Sequence, residues 1–332
     1  GGEVITAFEH ETFASFSKGN YTASSPVISY WNTFFQGLRQ CYIFLENVDK
    51  VPDLTESVKT DYIAQVKFLI AYYHYQLARC YGPILLLKEI PDVNASQAEY
   101  LPRTSYDECV DWICNLLDEA ASSLPAIRTN KEDYGLATSV GAKAVKAKML
   151  LYAASPLFNG NSSFYSNFTD KSGSQLMPLT YDPNKWVKAK TAIKEAIDLA
   201  EQNGHALYVK QDYKIGNEDA NPYPAAGPVR CLRTSLVDWD SRNPEVLLAE
   251  TRSEGSYGIQ NKSLPFVTDG WAWNGVGPTW TMLNRFYTKN GLPWDEDPEY
   301  KDKDKLKIVN VDASHADEAP EGSKTLLFNL DR

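Results

Sequence analysis

Two indoles two residues apart, in Trp271-Ala272-Trp273-Asn274, are the side chains of this sequence best suited to holding a ligand. In an extended segment alternate side chains point the same way, so this spacing aims both rings to one side. Trp and Tyr offer large amphipathic faces for the apolar side of a ligand, and neighbouring Asn or Arg groups can bond its polar edge. Trp239, Arg252 and Tyr257 fall in the same irregular stretch, and Tyr21, just ahead of the first helix, adds one more ring. The candidate ligand-binding residues are therefore Trp271, Trp273, Asn274, Tyr257, Trp239, Arg252 and Tyr21. The competing reading is that Trp271 and Trp273 pin a long loop to the helices. Trp31 and Trp186 lie on apolar helical stripes and are expected in the core.

Groups suited to catalysis are scattered. His10, His74, His205 and His315 form no H-E-x-x-H pair, and there is no G-x-S-x-G elbow, P-loop or G-x-G-x-x-G. His74 sits between tyrosines on a largely apolar helix and reads as a packing residue with its ring nitrogens satisfied. Asp295, Glu296, Asp297 and Glu299 do not make an EF-hand, because Tyr300 stands where that loop needs Gly and Leu306 where it needs a bidentate Glu. They read as a solvated acidic loop. With 43 acidic residues in the chain, sequence proximity singles out no carboxylate pair for acid–base work. The residues point to no enzyme, no cofactor and no metal site.

At 332 residues and 43% hydrophobic content the chain can bury a sizeable core. Its formal net charge is 33 − 43 = −10, and its Lys and Arg are spread through helices rather than gathered on one stripe, which argues against a nucleic-acid partner. No apolar run approaches the roughly 20 residues of a membrane span, and Gly1-Gly2 opens the chain without a signal-like segment. Cys41, Cys80, Cys109, Cys114 and Cys231 form no C-x-x-C pair and read as buried free thiols.

Apolar residues at alternating steps of four and three mark the elements. Val27, Trp31, Phe34, Leu38, Cys41, Leu45 and Val48 predict a first helix. Val58, Tyr62, Val66, Leu69, Tyr73, Leu77 and Cys80 predict a second, capped by Asp53 or Thr55 and stopped at Gly82-Pro83, so that the two form an antiparallel hairpin. Ile84 to Leu87 reads as a short extended segment. Ser105-x-x-Glu108 is a capping box opening a third helix that stops at Leu124-Pro125. A fourth, from Thr138 to Ser155, carries Gly141, Ala142, Ala144, Ala147, Ala153 and Ala154 on close-packing positions while Lys143, Lys146 and Lys148 stay wet. It stops on Ser155-Pro156 and leaves the aromatic, Asn-Gly loop Leu157-Phe158-Asn159-Gly160. Asp182-Pro183 opens a fifth, with Trp186, Ala189, Ile193, Ile197 and Ala200 on its stripe and Gly204 ending it.

Helical hairpins at this spacing predict an all-α, tetratricopeptide-like repeat fold with a long irregular loop region and a few short strands. The helical scaffold is placed at residues 1–204 and a loop-rich region packed on it at 205–332. Within the latter, Asn243 to Leu248 is expected as a strand, Gly277-Pro278-Thr279-Trp280 as the start of a short helix running to Phe286 and Tyr287, and 290–325 as polar loop.

Several separated motifs, in chain order, resemble the SusD/RagB family of outer-membrane nutrient-binding lipoproteins. They are Trp31 through Asn47, the Arg79-x-Tyr81-Gly82 close of the second helix, Leu101-Pro102-Arg103-Thr104-Ser105, Ala137-Thr138, Ser155 to Gly160, Asn243-Pro244-Glu245-Val246 and Gly277-Pro278-Thr279. Trp280 stands where the family has Gln, and Asn290-Gly291 where it has Asp-Gly. Members continue past an Asn-x-Asp-Arg-type motif like the one at Arg332, so the last third of the family's length is expected beyond this chain.

The resemblance implies capture of oligosaccharides, in some members peptides or other nutrients, without covalent chemistry. It implies delivery to a SusC-like TonB-dependent transporter at the extracellular face of the outer membrane. The membrane is reached only through a lipidated N-terminal Cys that this chain does not contain. On that basis the rings of the candidate set are a platform for pyranose faces. The alternative from another class is a helical-repeat scaffold that binds protein and no small ligand, with the aromatic loops as interface anchors.

Overall fold

The computed structural model describes residues 2–90, 92, 94, 102–209, 227–228, 231–232, 235, 243–251, 258–264, 273–300, 306–310 and 324–328. The short helix α1 (Ala14–Lys18) precedes the first long hairpin, α2 (Trp31–Asn47) and α3 (Glu56–Tyr81). The hairpin is antiparallel. The Tyr30 N–H before α2 donates to the Tyr81 hydroxyl at the end of α3 at 2.8 Å, and Lys59 near the start of α3 lies 3.1 Å from Asp49 just past α2. That first bond also explains why α2 begins at Trp31 and excludes Val27, since Tyr30 is held by a tertiary partner instead of continuing the helix backwards.

Gly82, at φ 69°, takes the chain out of α3 in a conformation that favours glycine. There the Arg103 guanidinium donates to the carbonyls of Tyr81 and Pro83 and lies over the Trp31 ring, 5.4 Å from its centroid. Trp31 is packed against the core as expected. Ile84, Leu86 and Leu87 that follow are buried but pair with no strand. Their polar backbone is satisfied by side chains and loops: the Tyr42 hydroxyl donates to the Leu87 carbonyl at 2.6 Å, and the Leu87 N–H donates to His74 Nε2 at 3.1 Å.

His74 is fully buried, and its Nδ1 lies 2.8 Å from the Ile70 carbonyl. An acceptor at Nε2 and a donor at Nδ1 describe one neutral tautomer, and desolvation pushes the ring's pKa down to about 4. His74 is a satisfied packing residue.

Helix α4 (Tyr106–Ser123) begins after Ser105 and ends before Leu124 as the sequence indicates, but the capping box does not form. No side-chain bond closes the Ser105 cap, and the Tyr106 N–H is taken by the Leu176 carbonyl at 2.9 Å, a partner from a distant segment. Helix α5 (Ser139–Ala154) is capped by the Thr138 hydroxyl, which accepts from the Gly141 N–H at 3.0 Å. It is buried on most sides. Lys148 is exposed, whereas Lys143 and Lys146 are half-buried and grip Asp118 of α4 at 2.6 Å each, so two of the three lysines expected in water are structural. Burial would raise the Asp118 carboxyl, but the two ammonium groups outweigh it and hold it below its ordinary value.

The loop after α5 is a lock between helices. Phe158 stacks on Tyr106 at 4.8 Å, with planes 10° apart. Buried Asn159 donates to the Asp182 carbonyl and accepts from the Asp182 N–H, both at 2.9 Å. Gly160, at φ 79°, touches the Tyr181 backbone so closely that an added Cβ would sit 2.3 Å from its nitrogen. The one-turn helix α6 (Ser162–Tyr165) follows, and α7 (Asn184–Gln202) starts at Pro183.

Helix α7 corrects the expected stripe. Its buried face is Ala189, Ala192, Ala196 and Ala200, while Trp186 is 42% and Ile197 50% exposed. Helix α5 packs on α7, whose alanine face lets the two helices approach closely while Trp186 and Ile197 stay exposed. The helix ends in a Schellman motif: the Gly204 N–H bonds the Glu201 carbonyl, the His205 N–H bonds that of Ala200, and Gly204 sits at φ 86°.

Each long helix packs on the next, α2 on α3, α3 on α4, α4 on α5 and α5 on α7, around one core. The fold is all-α and tetratricopeptide-like, with a few short strands. The thiols of Cys41, Cys109 and Cys114 are buried in it, and desolvation pushes them up to about 11, 11 and 12, so they stay protonated and inert. Cys80 is exposed and Cys231 half-buried, against the expectation of buried thiols throughout, and none of the five cysteines is in a disulfide.

The chain divides into two compact units, Tyr30–Thr251 on one side and Gly1–Ser29 with Arg252–Arg332 on the other. In the helical unit, Asn243 to Leu248 forms a turn rather than the expected strand, because the Asn243 side chain accepts from the Glu245 N–H at 3.1 Å and competes with extended pairing. In the other unit, β1 (Val4–Thr6) pairs antiparallel with β2 (Val276–Pro278), flanked by α8 (Ile259–Ser263) and the one-turn α9 (Trp280–Leu283). Helix α9 starts at Trp280 under a Thr279 cap but stops short of Phe286. The stretch expected as loop to residue 325 contains strand β3 (Leu306–Asn310) and enters β4 (Lys324–Phe328), an antiparallel pair. Within it, Asp297 is buried rather than solvated. Its carboxylate accepts from the Thr288 hydroxyl at 2.5 Å, the Asn290 amide at 3.1 Å and the Glu299 N–H at 2.8 Å, and the Thr288 bond is the main cause of a lowered pKa.

Candidate functional site

Trp273 and Asn274 lie on a backbone segment tied down on both sides. On one side the N–H groups of Trp273, Asn274 and Gly275 donate to the carbonyls of Asn261, Leu264 and Lys262 at 2.9, 2.9 and 2.8 Å. These are carbonyls in and just past α8, which a helix C-terminus leaves open. On the other side the Gly275 carbonyl accepts from the Thr6 hydroxyl at 2.8 Å and the Ala7 N–H at 3.1 Å, continuing the β1–β2 ladder. The segment is therefore held on both sides, while Trp273 stays half-buried and Asn274 exposed.

Two features of this arrangement are written into residue types. Phe8 lies flat against Gly275, where any Cβ would fall 1.9 Å from the Phe8 ring, so glycine is required. The same ring meets Trp273 edge-on at 6.3 Å and stacks on His10 at 5.4 Å. Asn274, at φ 46°, is the one non-glycine residue with positive φ among the described residues, a conformation Asn tolerates better than other side chains. Trp273 is half-buried, with Asn274 and His10 exposed beside it. Nearby, Lys262 pairs with Glu11, whose carboxylate also lies 3.5 Å from His10.

The surface thus presents an indole edge, a phenyl and an imidazole next to an exposed amide and an ion pair. Such a set can rest against the apolar face of a ligand and bond its hydroxyls. Among the described residues no group of His, Cys, Asp and Glu is placed to hold a metal ion, and no helix is long and apolar enough to cross a membrane.

Of the candidate set, the structure places Trp273 and Asn274 here. Tyr21 is half-exposed and its ring rests on Phe16 at 5.3 Å. Trp239, Arg252, Tyr257 and Trp271 lie outside the described residues. Phe8 and Gly275 were not singled out in the sequence, and His10 was weighed only as a catalytic or metal-binding group. Phe8 and His10 belong to a short N-terminal stretch with no periodicity, and the one hint at Gly275 was glycine crowding in Gly275-Val276-Gly277.

Residues 6–151 match a SusD-like family model described as starch-binding associating with outer membrane. Among solved structures, BT4246 overlays with a TM-score of 0.74 at 28% identity, across 90% of this chain and 54% of BT4246. A SusD-like protein from Bacteroides fragilis overlays at 0.64 with 20% identity, across 93% of this chain and 52% of its own. A SusD-like carbohydrate binding protein from the same organism overlays at 0.61 with 16% identity, over the same shares, and these two likenesses are of fold. The chain spans about half the length of each of these structures. No curated protein sequence matches it. The family-model match over residues 6–151 and the fold shared along nine-tenths of the chain make SusD-like proteins what this chain is similar to.

Proposed function

We propose that this chain is the helical part of a cell-surface glycan-binding protein that captures oligosaccharide and delivers it to a SusC-like TonB-dependent transporter. It acts at the extracellular face of the outer membrane, by reversible binding and not by bond cleavage. The observation that carries this reading is the match of residues 6–151 to a family described as starch-binding and outer-membrane-associated. The segment at Trp273 and Asn274, held on both sides, supports it, because an indole beside an amide suits a pyranose, with one apolar face and a rim of hydroxyls. Trp271, Trp239, Tyr257, Arg252 and Tyr21 complete the proposed binding set.

A site of two stacking rings gives modest affinity, micromolar or weaker, which suits a protein that must also release its cargo. Native gel electrophoresis through gels carrying soluble polysaccharides tests the reading. Retardation is expected in at least one α- or β-linked glycan and is lost in the Trp271→Ala, Trp273→Ala double variant. Unchanged mobility across a broad panel, with no change in indole fluorescence, refutes a glycan site and favours the protein-binding scaffold.

A further inference from the structure

In the helical unit α3 and α5 border a cleft of about 500 Å³, within the range of small-ligand sites. From α3 it receives Tyr72, Tyr75, Gln76 and Arg79, and from α5 Gly141, Ala144, Val145 and Lys148. Each set runs i, i+3, i+4, i+7, one complete helix face. One wall is aromatic and the other is made of small residues that leave the space open. Both helices run antiparallel to α4: Arg128 just past α4 pairs with Asp61 near the start of α3, and the Ser139 N–H at the start of α5 bonds the Pro125 carbonyl. They therefore run parallel to each other, and the two cations at their i+7 positions sit at the same end of the cleft. At the opposite end Leu247 and Leu248 line the cleft beside Gly141, where an added Cβ would meet them at 3.4 and 3.6 Å.

Three observations show that this end lacks a partner. Lys143 and Lys146 on the same helix close on Asp118, but Lys148, 200° around the helix from Lys146, is paired with no carboxylate among the described residues, and neither is Arg79. The Tyr75 side chain is almost fully buried and its hydroxyl has no well-formed hydrogen bond; the Arg79 guanidinium lies near enough to interact with it and opposes part of the rise that burial imposes on the phenol. Glu245 also lines the cleft, but one of its oxygens is drawn to the Tyr208 N–H at 3.2 Å, so two cations face one partly engaged carboxylate. A buried hydroxyl donor beside an unpaired guanidinium and an ammonium is the donor set for a carboxylate, with tyrosine faces to hold the ring that bears it.

We propose that this cleft is a second binding site, separate from the Trp273 surface, for a carboxylate-bearing sugar of the uronic acid type. Arg79 and Lys148 hold the carboxylate, the Tyr75 hydroxyl donates to it, and Tyr72 covers the ring.

Isothermal titration of the whole chain with galacturonate and glucuronate tests the site, with galactose and glucose as uncharged counterparts and acetate as the bare carboxylate. A uronate is expected to bind saturably, at least tenfold more tightly than its neutral counterpart and than acetate. Arg79→Gln and Lys148→Gln should each weaken it about tenfold, since each removes a charge-assisted bond from an exposed side chain. Thermal melts confirm that these variants stay folded, and Trp273→Ala should leave uronate binding unchanged. Equal affinity for acid and neutral sugar, equal affinity for acetate, no uronate binding, or uronate binding that survives both substitutions overturns the proposal. Loss of uronate binding in Trp273→Ala would overturn its separateness from the glycan surface.

Discussion

Lowering the pH should loosen the helical unit through His74 before its carboxylates begin to protonate. The ring is fully buried and neutral, its pKa held at about 4 against an ordinary value of 6.5. The unfolded chain therefore takes up a proton near pH 6.5 that the folded chain refuses until about pH 4. The stability contributed by a neutral His74 is complete above pH 6.5 and is lost as the pH falls toward the folded value. With RT ln[(1 + 10^(6.5−pH))/(1 + 10^(4−pH))], the loss is about 2 kcal/mol by pH 5 and about 3 kcal/mol by pH 4. Urea denaturation followed by far-ultraviolet circular dichroism at pH 7.5, 6, 5.5 and 5 measures it. His74→Gln, whose side-chain oxygen can take the Leu87 N–H, should be less stable at pH 7.5 by about 1–2 kcal/mol but flatter across this window. If wild type and His74→Gln lose stability in parallel between pH 6.5 and 5, the neutral buried ring is not the cause and the reasoning fails.

Asn159→Ala leaves the Asp182 N–H without its partner and the Asp182 carbonyl with only the Lys185 N–H, and should cost about 1–3 kcal/mol in chemical denaturation. Gly275→Ala drives a methyl into the Phe8 ring and should destabilise the β1–β2 unit by about 1–3 kcal/mol, with Phe8→Ala recovering part of the loss in the double variant. At Asn274, replacement by Gly should preserve the melting temperature while replacement by Val costs about 1–2 kcal/mol, because only the former accepts φ 46°. A Gly variant that keeps its fold but binds glycan more weakly would assign the Asn274 amide to the ligand.

The helical scaffold was legible because its signals are local. The steps of four and three in α4, the Thr138 cap and the glycine after α7 each need only a few neighbouring residues. In α3 the expected helix forms, but Val58, Tyr62 and Leu69 of its expected stripe are exposed, and Ala64, Phe68, Ala71, Tyr75 and Ala78 are buried instead. What failed depended on partners distant in sequence. Trp186 sits on the most hydrophobic stripe of α7, yet α5 presents small residues, so α7 packs through its alanines. The β1–β2 pair joins Val4 to Pro278, and nothing in either segment names the other. The capping box expected at Ser105 does not form, and the adjacent Tyr106 N–H bonds a carbonyl from Leu176, a partner nothing in its own segment names. The site divides the same way: Trp273 and Asn274 stood out by type and spacing, whereas Phe8, which fixes the segment they occupy, could be found only once the ladder was formed.

Titration of a glycan retained in the gel assay against wild type and Trp273→Ala tests the proposed function most directly. The account predicts a dissociation constant in the micromolar range or weaker for wild type, and a loss of about tenfold or more on removing the indole. Wild-type affinity in the Trp273→Ala chain, with the fold intact, would contradict it.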